Sequence, residues 1–424
     1  MTNRAYFKTL TLTLALLLPH YSSLAASNVN ANNNPVPDSN NNAVNVPIGP
    51  NNGRLQAPLI IPPAPNIDAK AYILLDAKSG KVLGESNADM RLPPASLTKL
   101  MTLYITFDAL VHGQIHLNDK VPVSSKAWQT GGSRMFIKPG DEVTVADLIQ
   151  GIIVDSGNDA CVAMAEYLGG SEDSFTALMN QQAARLGMNN THFMDSNGLP
   201  DPNHYSSARD MAILARAIIT QFSDYYKGFS QKEFTYAGIK QQNRNRLLWR
   251  YPNTDGLKTG HTDEAGYCLV SSAKQGDTRF IAAVFGAPSD NARAEDSQSL
   301  LTYAARFYET KKFYNAGQSL GQVRVWQGEQ RVVDAGAGAD VYLTVPAGRS
   351  DKITTQTLLP SQVKAPIQKG QTLGKLTVLI DNQIIAEYPL VALKADPLGG
   401  FWTRMVDNIA QSVHRFWNKE EQKL

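Results

Sequence analysis

The chain predicts an α/β (α+β) domain with one antiparallel sheet, followed by a small all-β domain and a C-terminal amphipathic helix. Strand-like alternation marks both ends of residues 67–316, with helical periodicity between them, and short alternating runs alone fill 317–393. With 424 residues, 43% apolar and 18% charged, the chain can bury a sizeable core in each of two domains.

Taken in order, residues 1–25 read as an export signal. Arg4 and Lys8 make a positive start, 10–18 an apolar stretch too short to span a bilayer, and Ser23-Leu24-Ala25 a small-residue cleavage site. Residues 26–66 are rich in Asn and Pro and poor in aromatics, a composition that cannot bury enough apolar surface to fold, and read as a disordered linker.

Regular structure starts with a hairpin, a run at 71–75 turning at 77–80 toward Val82. Helical periodicity follows over 96–110, then over 145–154 behind a Thr144-to-Asp147 capping signal, then over 159–168 and 171–186. Alternation returns over 267–272 and 279–285, joined by a Gln275-Gly276-Asp277 turn, and a helical segment at 297–307 closes the region. Past Gly317 the runs 323–326, 341–345, 376–380 and 384–389 are strands of the second domain.

The last segment, 394–424, is assigned to an amphipathic membrane-anchor helix. Phe401, Met405, Ile409, Val413 and Phe416 form one stripe widened by Trp402, Val406 and Trp417, while Arg404, Asp407, Gln411 and Arg415 face away. The competing reading packs this stripe on the β domain. A net charge of +2, with no basic run interleaved with aromatics, gives no reason to expect nucleic acid. The two cysteines, Cys161 and Cys268, are too few for a disulfide framework and fall in apolar patterns, as buried thiols do.

Three short motifs carry chemistry: Ser96-Leu97-Thr98-Lys99, Ser156-Gly157-Asn158 and Lys258-Thr259-Gly260. Each alone is weak, because Ser271 with Lys274, Ser361 with Lys364, the run Ser289-Asp290-Asn291 and Lys78-Ser79-Gly80 supply imitations elsewhere in the chain. Only the first three stand in a workable order.

Ser96 opens an apolar helical pattern, and Lys99 falls one turn on along the same face. An ordinary N-cap serine would be followed by Glu or Gln at that position; a lysine there opposes the helix dipole. Such a lysine, packed among apolar residues, is pushed toward its neutral form and can take the proton of the Ser96 hydroxyl. Ser156 and Asn158, on a loop between helices, can pass a proton and hold an amide. Lys258, Thr259 and Gly260 are placed just before a strand, where a cation can meet a carboxylate and glycine lets a substrate backbone approach. The backbone N–H groups of Ser96 and His261 are candidates for an oxyanion hole. His261 as a triad base with Asp155 or Asp255 is disfavoured, since lysine already supplies the base. The seven histidines show no metal spacing, so neither metal nor cofactor is expected.

Around these motifs the stretches Leu92-Pro93-Pro94-Ala95-Ser96, Ser156-Gly157-Asn158-Asp159-Ala160-Cys161, Tyr205-Ser206-Ser207-Ala208-Arg209-Asp210-Met211 and Asp255-Gly256-Leu257-Lys258-Thr259-Gly260-His261-Thr262 resemble the low-molecular-mass penicillin-binding proteins, the serine-type D-alanyl-D-alanine carboxypeptidases. The resemblance implies a β-lactamase/transpeptidase-like domain in which Ser96, Lys99 and Ser156 are catalytic and Asn158, Lys258 and Thr259 contact substrate. It also implies an arginine for the substrate carboxylate, with Arg293 the better match and Arg244 the second. Peptidoglycan stem pentapeptides would lose their terminal D-alanine, limiting cross-linking, and β-lactams would acylate the same serine. The protein would be periplasmic and peripheral on the outer face of the cytoplasmic membrane, held there through 401–417. Rival readings are a β-lactamase, a D,D-endopeptidase and a non-catalytic wall-binding protein.

Overall fold

A computed structural model of the chain describes residues 61–410. The export signal, residues 26–60 of the linker and the end of the amphipathic segment lie outside the described residues. The linker reading fails at its C-terminal end, because residues 61–66 are built into the fold. Ile61 and Ala64 pack against a hydrophobic core cluster, and Tyr303 donates a hydrogen bond of 2.8 Å to the Pro62 carbonyl. A proline-rich segment has little conformational entropy to lose on such docking.

The first domain is a five-stranded antiparallel sheet with helices on both faces. Its strands run in the order Val82–Ser86, Ala71–Asp76, Thr278–Ala287, Gly266–Gln275 and Thr254–Thr262. The predicted hairpins are present, with Leu74 opposite Gly84 and Val270 opposite Ala283. The central strands are almost continuously buried, as a sheet covered on both faces requires. One face carries the helix Asp290–Phe307 and the smaller core around Leu74, Leu269 and Leu300. The other carries the helical subdomain and the larger core around Ile73, Leu100, Phe107, Val154 and Ile281.

Within that subdomain, Thr144 caps the helix Val145–Gln150 by accepting from the Asp147 N–H at 3.0 Å. The helix then widens into a π turn, Gly151–Asp155, which delivers Ser156 in the left-handed conformation at φ 59°. The helix Asn158–Gly169 restarts directly behind it. A helix not read individually from the sequence, Ala208–Gln221, is capped by Ser207, and its Arg209 pairs with Glu85 and Asp89. The run Ser289-Asp290-Asn291 is an N-cap: Ser289 accepts from the Ala292 N–H at 3.0 Å, so the closing helix starts at Asp290, earlier than its apolar pattern.

The all-β part begins at Tyr308 and not at Gly317. The strand Tyr308–Tyr314 pairs with Val341–Pro346, and its two exposed lysines hide the alternation. A six-stranded sheet follows. Thr310 donates to Asp76 at 2.7 Å, and Thr344 lies 2.6 Å from the Ser79 hydroxyl, so short polar side chains tie this domain to the first sheet. Residues 394–400 are not helical; helix occupies 401–410. The Gln327 backbone N–H donates to the Asp407 carboxylate at 2.6 Å, and the Gln327 side chain contacts Asn408. The helix is therefore held by its polar side, leaving Phe401 66% and Trp402 72% exposed. The packed-stripe reading is contradicted over these residues. No helix among the described residues is long and apolar enough to cross a membrane.

Candidate active site

Ser96 sits on a single 3₁₀ turn, Ala95–Thr98, that leads into the helix Lys99–Val111. It is not an N-cap: no side chain caps either element. Ala95 takes φ +48°, a conformation that a non-glycine residue adopts at some energetic cost and one that recurs at functional turns. Lys99 is fully buried, and its Nζ donates to Ser96 Oγ at 2.9 Å and to the Asn197 carbonyl at 2.5 Å. Burial pushes its pKa below the ordinary lysine range, opposed by the Cys161 thiol and Asp195 and reinforced by Arg244.

Facing it is a second serine–lysine contact. Lys258 Nζ donates to Ser156 Oγ at 2.9 Å and to the Thr259 carbonyl at 3.1 Å. Lys258 lies inside the strand Thr254–Thr262, not before it as the motif suggested. The strand was missed at its start because Asp255 and Gly256 interrupt the apolar pattern, and the ladder shifts register between Thr254 and Gly256. Burial, then the charges of Lys99 and Arg244, hold Lys258 well below the usual range.

Gly260 brings the two halves together. A Cβ there would stand 2.8 Å from the Pro94 carbonyl and 3.3 Å from Ala95 Cβ, so only glycine lets this strand lie against the turn that carries Ser96. Thr259 is buried beside it. Asn158 donates to the Gly131 carbonyl at 2.7 Å, while its Oδ1 is buried without a partner and free to accept an amide N–H. Asp159, unremarked in the sequence, accepts the backbone N–H groups of Met135 and Phe136 at 2.9 and 2.8 Å and so fixes the loop above Asn158. Asn197, which supplies the carbonyl to Lys99, also carried no sequence signal, because any residue has a carbonyl.

His261 is exposed and lies against Tyr267, with ring centroids 4.1 Å apart and planes tilted by 35°. The partners considered for it are engaged elsewhere. Asp255 accepts from Arg279 at 2.6 Å and from Tyr226 at 2.6 Å, and Asp155 is buried beside Ser156. The triad reading has no geometry behind it.

The two arginines are held differently. Arg293 is buried, donates to the Gly260 carbonyl at 2.9 Å and pairs with Asp290, so its guanidinium braces the strand. Arg244 lines a depression of about 710 Å³ with Arg293 and Tyr267, and its charge is felt by Lys99, Lys258 and Asp155. Among the described residues no group of His, Cys, Asp and Glu is arranged to hold a metal. Cys161 and Cys268 are free and buried, their thiols pushed up to about 12 and about 11 by burial.

A serine presented on a turn, touched by a buried lysine whose pKa is lowered and faced by a second serine–lysine pair, defines a serine acyl-enzyme fold of the penicillin-binding class. The comparisons agree. Residues 60–289 match the family model described as D-alanyl-D-alanine carboxypeptidase, and 308–397 match the penicillin-binding protein 5 C-terminal domain. The chain is 44% identical to D-alanyl-D-alanine carboxypeptidase DacA of Escherichia coli over 84% of its length and 91% of that protein. It is similar to the crystal structure of penicillin binding protein 5 from Haemophilus influenzae, with a TM-score of 0.75, 41% identity and coverage of 78% of this chain and 98% of that one. Penicillin-Binding Protein D2 from Listeria monocytogenes in its ampicillin-bound form gives a TM-score of 0.52 at 30% identity, covering 56% of this chain and 99% of that one. The chain belongs to the family of serine-type D-alanyl-D-alanine carboxypeptidases.

Proposed function

We propose that Ser96 is the nucleophile, Lys99 its base, and Ser156 with Lys258 the path by which the leaving amine is protonated. The reading rests on one observation above others: Lys99 is fully buried, lies 2.9 Å from Ser96 Oγ and contacts a carbonyl where a carboxylate would otherwise hold its charge. Neutral Lys99 takes the Ser96 proton as Oγ attacks the carbonyl of the penultimate D-alanine. The N–H groups of Ser96 and His261 receive the oxyanion. The C–N bond breaks, D-alanine leaves with a proton passed through Ser156, and water hydrolyses the ester to release the shortened stem peptide. Asn158 Oδ1 holds the substrate amide; Thr259 and Gly260 flank the acyl group; Arg244, with Arg293 behind it, meets the terminal carboxylate. β-Lactams acylate Ser96 by the same attack.

The experiment is release of D-alanine from a pentapeptide ending in D-Ala-D-Ala by the parent and by Ser96→Ala. Release by the parent alone carries the proposal; release by both removes Ser96 as nucleophile. Fast turnover of a β-lactam would favour a β-lactamase.

Export through residues 1–25 and attachment through 401–417 belong to the same proposal. Attachment is supported by the exposed Phe401, Trp402, Val406 and Ile409 on a helix tied down by its polar side. Sedimentation with anionic vesicles, lost on removing residues 399–424, tests it. In this reading the units are an exported precursor, a linker, a catalytic domain, a β-rich stalk and an anchor.

A further inference from the structure

One peptide unit holds Lys99 in place. Lys99 Nζ donates to the Asn197 carbonyl at 2.5 Å, and the N–H of that same unit, on Gly198, donates to Asp195 Oδ1 at 2.6 Å. The unit is trans, so its N–H and C=O point in opposite directions, and a carboxylate that grips the one aims the other. Asp195 Oδ1 also accepts from the Asn197 N–H at 2.9 Å, closing a side-chain turn over 195–198. This turn is pressed on the residues that carry Ser96. A Cβ on Gly198, which takes φ +89°, would stand 1.8 Å from the Ala95 carbonyl oxygen.

The carboxylate is itself held. His204 is buried, with Nδ1 3.8 Å from Asp195 Oδ2 and Nε2 2.9 Å from the hydroxyl of Thr98, the residue before Lys99. Burial works to raise the Asp195 carboxyl, but the His204 imidazole and the Gly198 and Asn197 N–H groups outweigh it and keep the group below the usual carboxylate range. Asp195 is therefore a fixed negative charge, and it favours the charged form of Lys99. The rest of the turn has its own supports: the Ser196 carbonyl accepts from Thr102 at 2.6 Å, and the Ser196 hydroxyl donates to Glu172 at 2.7 Å.

We propose that Asp195 is a positioning residue for the acyl transfer: through the Asn197–Gly198 peptide it points Lys99 at Ser96, while His204 keeps its carboxylate and the Ser96 turn in register. Asp195 acts through Lys99 and not on the substrate. The inference rests on the reading of Lys99 as the base and adds the group that sets it.

Acylation by a labelled penicillin, followed against pH and penicillin concentration, tests it. Asp195→Asn keeps an acceptor for both N–H groups and removes the charge; Asp195→Ala removes both. The other groups that face Lys99 stay in place in either variant: Cys161 and Asp159 on one helix, Arg244, and Lys258 on the outer strand. Losing the Asp195 charge lowers the Lys99 pKa, so in Asp195→Asn the acidic limb of the acylation rate is expected to move to lower pH by about half a unit. Its plateau rate is expected to stay within about threefold of the parent's. In Asp195→Ala the plateau rate is expected to fall about 50-fold at unchanged penicillin affinity, because the base is no longer aimed at Oγ. An unmoved limb in Asp195→Asn, or a parental plateau rate in Asp195→Ala, would overturn the proposal. Lys99→Ala, measured alongside, keeps the two readings apart. Near-normal acylation by that variant removes the base and the positioning role together, whereas an inert Lys99→Ala beside a fully active Asp195→Ala removes the positioning role alone.

Discussion

The two serine–lysine contacts have the same length and opposite origins. Ser96 and Lys99 are three residues apart on consecutive helical turns, so backbone geometry alone places one near the other. Ser156 and Lys258 are separated by 102 residues, and meet only because a π turn ends in a left-handed serine and an outer strand is pressed inward at Gly260. Both lysines are buried, and both are driven toward neutrality. They differ in what surrounds them. Lys99 is partly offset by Cys161 and Asp195, whereas Lys258 feels Lys99 and Arg244 in addition to burial. A local pair can thus be set as a base, while the long-range pair depends on the fold and on its neighbour's protonation.

The largest expected effect breaks the local pair. Lys99→Ala should slow acylation of Ser96 by a labelled penicillin by about 1,000-fold. Near-normal acylation would mean that the pairs have exchanged roles. Lys258→Ala comes next, with kcat/KM for D-alanine release falling about 100-fold if the long-range pair serves proton passage to the leaving group. A loss equal to that of Lys99→Ala would erase the distinction between the two.

Arg244→Ala sharpens the comparison through pH. Arg244 disfavours the charged form of Lys99, so removing it raises the Lys99 pKa. If neutral Lys99 is the base and Arg244 meets the carboxylate, as proposed, the acidic limb of the kcat/KM profile should move to higher pH, with a rise in KM. An unmoved limb would show that Arg244 binds substrate without tuning the base.

The smallest effect concerns Asp155, whose carboxyl is raised from 3.8 to about 7 by burial, then by Asp159, against Arg244. A raised folded-state pKa adds stability below pH 4 that is lost as pH rises through about 7. Asp155→Asn lacks this loss. The variant's Tm relative to the parent should therefore climb between pH 5 and pH 8, and a constant difference would contradict the assignment.

Legibility followed the range of the interaction. The contact between Ser96 and Lys99 was readable because a helical turn is a local object. The sheet and most helices were readable because burial imposes period 2 or 3.6 on the sequence. The strand Tyr308–Tyr314 was not, since one solvated edge with two lysines carries no alternation, and residues 61–66 were not, since docking of a proline-rich segment depends on a surface formed elsewhere.

By itself the sequence determined the fold class, the order of the three motifs, and the chemistry those side chains can perform, because these depend on residue type and near-neighbour spacing. Tertiary structure alone decided that Lys258 reaches Ser156, that the Asn197 carbonyl holds Lys99, that Arg293 braces the strand while Arg244 is felt at the site, and that Asp255 belongs to Arg279 rather than His261. Each of those choices joins groups distant in the chain, and a carbonyl or a guanidinium reveals its partner only once packing has brought the two within hydrogen-bond reach.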